Sequence, residues 1–281
     1  MKSLQKNRSR TINTAFLFLI VFTFLFSSSV DAAKRKNKHQ VTCKSVIFSD
    51  STKMKRLYGK GVHTRILPAS TAKVMTALLV IEKLPLGQYV TVSKAATLVQ
   101  PTVINLKPGE RYKVKDLLYA ILIKSANDAS VVLAEAVSGS EANFVQLMNQ
   151  RAKQLGAKHT KFANSNGLPS RAKQYSTAYD MYMIFRRALR HSFFRQAITF
   201  KNKTIQSKDG RQVLLTSHNK ILFKDWKKKI YGKTGYTRAA QACFIGTIKK
   251  GDSDLIIGVF GCPKRWEDIK HVVSTYGKIP L

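Results

Sequence analysis

The sequence predicts an α+β fold: an antiparallel sheet built from both chain termini, packed with helices, plus a helical subdomain. Three observations carry this. Strand-like runs lie at 41–59 and again between 229 and 261. Residues 69–84 make a helical stretch apolar nearly all round (Val74, Met75, Ala77, Leu78, Leu79, Val80, Ile81), which places it at the centre of a core. Helical segments with recognisable starts and stops fill the middle of the chain.

Residues 1–32 read as an address. Lys2, Lys6, Arg8 and Arg10 form a basic start, and Ala15 to Phe26 is apolar apart from Thr23. Val30-Asp31-Ala32 then offers small residues for cleavage, so a signal peptide is expected, with export as its consequence. The competing reading is a retained anchor helix, for which the apolar run is short against the roughly 20 residues a span needs. Residues 33–40 are a basic lead-in, and 41–281 are expected to form one catalytic domain.

Val41 to Ser49 alternates and reads as a strand; a turn near Asp50-Ser51 leads to a second through Leu57-Tyr58, ending at Gly59. The apolar helix at 69–84 is ended by Pro85 and Gly87. Residues 115–137 are expected as one helical region, closed by Gly139. Ser140 caps a helix to Leu155, and Thr177 to Asp180 opens another to about Arg190. Asp209-Gly210 marks a hairpin between 204–207 and 211–215. Strands near 229–237, 242–249 and 254–261, then a helix at 265–276, finish the chain.

The 281 residues are 44% hydrophobic, enough for a sizeable core. Lys and Arg number 49 against 15 Asp and Glu, a formal charge of +34. Residues 1–32 hold four basic residues and one acidic, so their removal leaves +31. Such charge points to a polyanionic neighbour. With export, anionic wall polymers or lipid headgroups are favoured over nucleic acid. Lys34, Arg35, Lys36 and Lys38, and Lys224 with Lys227 to Lys229, are the clusters expected to serve. No Cys-x-x-Cys or histidine cluster suggests a metal, and no cofactor is expected. Of the three cysteines, Cys243 and Cys262 fall near one end of the final hairpin, and Cys43 can lie at the same end. A Cys243–Cys262 bridge is the first expectation, three free thiols the alternative.

Three short motifs carry the chemistry. Ser70-Thr71-Ala72-Lys73 opens the buried helix, Ser125-Ala126-Asn127 lies mid-chain, and Lys233-Thr234-Gly235 sits on a late strand. Residues three apart share a helix face, so Ser70 and Lys73 bring a hydroxyl beside an amine. A serine needs a base to become nucleophilic. Burial and a second cation at Lys233 favour the neutral amine that can be that base. Ser125 is a candidate proton relay, and Asn127 a candidate ligand for a substrate amide. Lys233 and Thr234 can hold a carboxylate. The flat strand at Gly235, continuing to Thr237, can take a peptide alongside. The Ser70 N–H with one at Tyr236 or Thr237 is expected to form an oxyanion hole.

With its Pro68 to Thr76 segment, the chain resembles the low-molecular-mass D-alanyl-D-alanine carboxypeptidases, penicillin-binding serine peptidases with a β-lactamase/transpeptidase-like fold. Asp116 to Tyr119, Ser125 to Ala129, Phe162 to Asn164, Asn166 to Leu168, Tyr175 to Ala178 and Lys233 to Thr237 are similar to theirs. The resemblance implies an acyl-enzyme that removes the last D-alanine from peptidoglycan stem peptides and is inhibited by β-lactams. By it, Ser70 is nucleophile, Lys73 base, Ser125 the second serine and Lys233 the substrate-binding lysine. Two departures are visible. Ala239-Ala240-Gln241-Ala242 replaces a stretch where the family often has glycine, and the C-terminal β domain and amphipathic anchor that many members add after the helix are not expected here beyond 265–276. Competing readings are a D,D-endopeptidase of the same type, a β-lactamase and a non-catalytic wall-binding protein. A β-lactamase needs a deacylating glutamate, and Glu135 and Glu141, alone between Asn127 and Lys233, read as helix residues.

Overall fold

The first strand, β1 (Ser45–Asp50), is buried at every position, so both its faces pack. Its neighbours explain why. In the computed structural model, which describes residues 40–281, β1 lies inside a five-stranded antiparallel sheet. The sheet is ordered β2 (Lys55–Lys60), β1, β9 (Ser253–Cys262), β8 (Gln241–Lys250), β7 (Tyr231–Thr237). The sheet from both termini is thus present, with β1 registered on β9 from Ser45 opposite Phe260 to Asp50 opposite Leu255. The residues read as signal peptide, and nearly all of the basic lead-in, lie outside the described residues. Among those described, no helix is long and apolar enough to cross a membrane.

The apolar run predicted at 69–84 is the central helix. A 3-10 turn, Ala69–Ala72, leads into α1 (Lys73–Lys83), buried from Lys73 to Val80. Around it stand α2 (Val114–Tyr119), α3 (Asn127–Ser138), α4 (Glu141–Gln154) and α5 (Ala178–Ala188). Ser140 and Thr177 cap α4 and α5 as their sequence predicts, each accepting from the amide three residues on. A short helix α6 (Ser192–Ala197) follows, then the hairpin β5 (Asn202–Gln206) and β6 (Gln212–Thr216). A two-stranded ribbon, β3 (Tyr89–Thr91) and β4 (Arg111–Lys113), completes the helical side. The last helix, α7 (Arg265–Gly277), covers the opposite face of the sheet.

Two expectations are corrected. Residues 115–137 are not one helix. After α2 comes a π-helical turn, Ala120–Lys124, and Ser125 takes the left-handed conformation (φ 65°) before α3 begins. The disulfide joins Cys43 to Cys262, and Cys243 is a free, buried thiol. The sheet register explains this. Lys44 donates to Gly261 O, so Cys43 stands opposite Cys262 across β1 and β9. On β8 the register shifts between Ala242 and Phe244; Ala242, not Cys243, pairs with Cys262. Cys243 therefore packs into the helical core, while the bridge lies in the core under α7.

Candidate active site

The turn that opens α1 is held from below. Thr71 donates through N and Oγ1 to Pro68 O, at 3.2 and 2.6 Å. This sets Ser70 at the mouth of a cleft of about 400 Å³, which Ser125, Thr234, Gly235, Tyr236 and Arg265 also line. Lys73 is fully buried directly behind it.

The Lys73 amine has three neighbours. Nζ lies 3.1 Å from Ser70 Oγ, and donates to Asn127 Oδ1 and to Asn166 O, both at 2.7 Å. Asn127 Oδ1 and Asn166 O can only accept, so they orient two N–H bonds of the amine. In the neutral form the remaining lone pair then faces Ser70, whose O–H can donate to it. Burial, and next the Lys233 charge, hold the Lys73 amine well below its ordinary range, with Asp128 opposing. Electrostatics and geometry thus both favour a neutral amine facing one hydroxyl, an arrangement able to take its proton.

Ser125 reaches the cleft because the helix breaks there. Its left-handed backbone turns Oγ toward Lys233, which donates to it at 2.8 Å and to Thr234 O at 2.9 Å. Lys233 is pushed down to about 7 by burial and by the Arg265 charge. Gly235 lets β7 approach Ser70: a Cβ there would lie 3.0 Å from Ser70 N and 3.1 Å from Thr71 N. β7 ends the sheet order, so among the described residues no strand pairs with its outer edge.

Two site residues behave differently from expectation. The Asn127 side chain is buried and committed, accepting from Lys73 and donating to Gln100 O at 2.8 Å. It orients the base rather than facing the cleft. Thr237 lines a neighbouring cavity of about 390 Å³ with Ala69, Gly167 and the 169–175 loop. Its Oγ1 accepts from Ala240 N.

Three participants escaped the sequence reading. In the sequence Asn166 shows only a family similarity, yet its carbonyl accepts from the Lys73 amine. Its loop is strapped down: Thr76 Oγ1 and Ser130 Oγ donate to Ser165 O, and the Ser165 amide donates to Glu141. Arg265 opens α7 and donates through Nη1 to Gly235 O (3.2 Å) and Cys243 O (2.8 Å), setting a guanidinium beside β7. His218 lines the cleft and is pushed down to about 4 by burial and the Lys233, Lys124 and Lys73 charges, so it is neutral at pH 7. Neither Arg265 nor His218 sits in a motif; only the fold brings them here.

The turn after β7 resolves the departure at 239–242. Gln241 holds φ 56°, the left-handed region glycine takes most readily, and its side chain donates to Arg238 O at 2.8 Å.

A family model described as D-alanyl-D-alanine carboxypeptidase matches residues 32–264. The chain is 35% identical over 259 residues to the D-alanyl-D-alanine carboxypeptidase DacF of Bacillus subtilis, covering 90% of this chain and 66% of that protein. It is 32% identical to DacB2 of Mycobacterium tuberculosis, covering 79% and 77%. A D-alanyl-D-alanine endopeptidase of Pseudomonas aeruginosa is 27% identical, covering 90% and 82%. Among solved structures, the Streptomyces K15 DD-transpeptidase aligns with a TM-score of 0.79 at 25% identity, over 86% of this chain and 99% of that one.

Proposed function

The chain belongs to the D-alanyl-D-alanine carboxypeptidase family, and from that premise we propose that it is an exported serine acyl-enzyme acting on peptidoglycan stem peptides. One observation carries the mechanism: the buried Lys73 amine, 3.1 Å from Ser70 Oγ, with its other contacts made to acceptors.

The substrate strand lies along the free edge of β7, its terminal carboxylate toward Lys233, Thr234 and Arg265. Ser70 Oγ attacks the carbonyl carbon of the penultimate D-alanine while the Lys73 amine takes the hydroxyl proton. The Ser70 N–H and an amide of β7 near Tyr236 stabilise the oxyanion. As the C–N bond breaks, Ser125 passes a proton to the leaving amine and recovers one from Lys233 Nζ, and the proton that Lys73 took restores Lys233, leaving the Lys73 amine neutral. D-Alanine departs, leaving an ester on Ser70. Water then attacks that ester with Lys73 again as base, restoring the hydroxyl. A β-lactam follows the first half and stays bound as the acyl-enzyme.

The mature protein acts on the wall side of the cytoplasmic membrane, a reading supported by the basic start and apolar run of residues 1–32. A second reading, cleavage of D-alanyl cross-links, is favoured by the endopeptidase relative.

One experiment separates these. Purified protein is incubated with a pentapeptide monomer and with a cross-linked dimer, and free D-alanine and monomer release are measured. D-Alanine from the pentapeptide supports the carboxypeptidase; monomer from the dimer alone supports the endopeptidase. Ser70→Ala should lose both, and should lose labelling by a fluorescent penicillin. Labelling that survives Ser70→Ala would place the nucleophile elsewhere.

A further inference from the structure

The far end of α1 carries a charge arrangement that the peptidase chemistry does not use. Glu82, on its last turn, is shared by three basic side chains. Arg151 of α4 grips both its oxygens, at 3.0 and 2.6 Å; Arg187 of α5 reaches it at 3.3 Å, and His191 Nε2 lies 3.8 Å away. Arg186 and Arg190 make no ion pair among the described residues. Arg186 donates through Nε to Ser51 O, and Arg190 is exposed. Arg151, Arg186, Arg187 and Arg190 together wall a groove of about 370 Å³ between α4 and α5. Of the four guanidiniums, two are thus paired to Glu82 and two, those of Arg186 and Arg190, have no carboxylate partner among the described residues.

We propose that this groove binds a linear phosphodiester polyanion. The cations that line it are arginines, whereas the run at 227–229 is all lysine. The planar guanidinium presents paired N–H donors that match two phosphate oxygens, and it is less strongly hydrated than an ammonium. The recess is concave, and none of the large exposed apolar side chains (Leu98, Leu214 and Phe223 among them) lines it. A flat bilayer surface cannot follow such a recess, whereas a single polymer strand can enter it. Glu82 lies nine residues beyond Lys73, roughly 14 Å along the helix axis. Polymer in the groove therefore leaves the cleft open. The inference moves the polyanion contact from the lysine clusters to the arginines, and it rests on the wall-enzyme reading only for where the polymer is met.

The test uses the purified full chain and end-labelled poly(glycerol phosphate), read by fluorescence anisotropy at low and near-physiological salt. The variants are Arg190→Gln alone, whose side chain is exposed, and Arg186→Gln with Arg190→Gln; both leave the Glu82 pairs intact. The double variant should bind about tenfold more weakly, with a shallower salt dependence, and Arg190→Gln should fall between it and the unaltered protein. Lys227, Lys228 and Lys229 changed together to Gln should keep affinity within about twofold. Penicillin labelling, run in parallel, should be the same in all, separating failure of the groove from failure of the enzyme reading. Undiminished polymer binding by both arginine variants, an equal loss in the lysine variant, or binding to anionic lipid vesicles but not to polymer would each overturn the proposal.

Discussion

Gly167→Ala tests whether the loop at 164–168 sets the base. Gly167 holds φ 84°, and a Cβ on it would fall 1.9 Å from Ala69 O and 2.5 Å from Ala69 C. Those are backbone atoms, so no side chain can swing aside. Ordinary contact needs about 3.4 Å, so the loop and the Ser70 turn must part by roughly 1.5 Å. That stretches the 2.7 Å contact from Lys73 Nζ to Asn166 O beyond hydrogen-bonding range. The lost bond is worth about 1–3 kcal/mol, and the left-handed backbone adds about 1 kcal/mol for alanine. Stability should fall by about 2–4 kcal/mol, and acylation by about 100-fold, the usual cost of a 1 Å misplacement. Gly139→Ala is the control. Gly139 has φ 77° but open space around its Cβ site, so it should lose only the backbone part, about 1 kcal/mol, and acylate normally. Stopped-flow acylation by a fluorescent penicillin and thermal melting read both quantities. If Gly167→Ala acylates within about threefold of the unaltered protein and melts like Gly139→Ala, the loop does not position the base.

Three further outcomes are expected. The rate of peptide hydrolysis should be bell-shaped in pH, rising as the Lys73 amine loses its proton and falling above about 7 as Lys233 loses the charge that holds the carboxylate; Lys233→Arg should move the alkaline fall upward, whereas Lys73→Arg, which cannot deprotonate, should remove activity at every pH. Thiol counting in denaturant without reductant should find one thiol, mapped to Cys243, and Cys43→Ser should cost about 2–5 kcal/mol of stability; three thiols, or a bridged Cys243, would contradict the sheet register. Gln241→Gly should raise stability by about 0.5–1 kcal/mol, seen as a melting temperature higher by about 1–4 °C, while Gln241→Ala should not; a lower melting temperature for the glycine variant would mean the Gln241 contact to Arg238 outweighs the backbone strain.

Periodicity made the central helix legible, because residues 73–80, Lys73 and Thr76 apart, are apolar on nearly every side and have to be enclosed. The caps at Ser140 and Thr177 were legible because a hydroxyl before a helix satisfies an otherwise unpaired amide. The break at Ser125 was not. Nothing in Lys124-Ser125-Ala126 forbids a helix, and the left-handed turn is held by partners distant in sequence, notably Lys233. The bridge was misread for a related reason. Its pairing depends on a one-residue shift at Cys243, and such a shift moves a side chain to the other face of a sheet without any mark in composition. Arg265 and His218 arrive through tertiary topology alone. The motifs therefore named the candidate groups that the fold brings to one cleft, and the fold added the neighbours that orient and charge them.

The place of β9 in the sheet also governs when the molecule can exist. β1 is complete by Asp50 but pairs along its length with β9, and the disulfide closes over a separation of 219 residues. Loop closure on that scale comes late, since its entropy is lost before its contacts form. A chain interrupted before Ser253 would hold Ser70, Lys73, Ser125 and Lys233, yet it would lack the strand that joins β1 to β8. Assembly of the site is thereby coupled to completion of the polypeptide: a nascent fragment carries all three motifs but lacks the strand that unites its β1–β2 and β7–β8 pairs into one sheet.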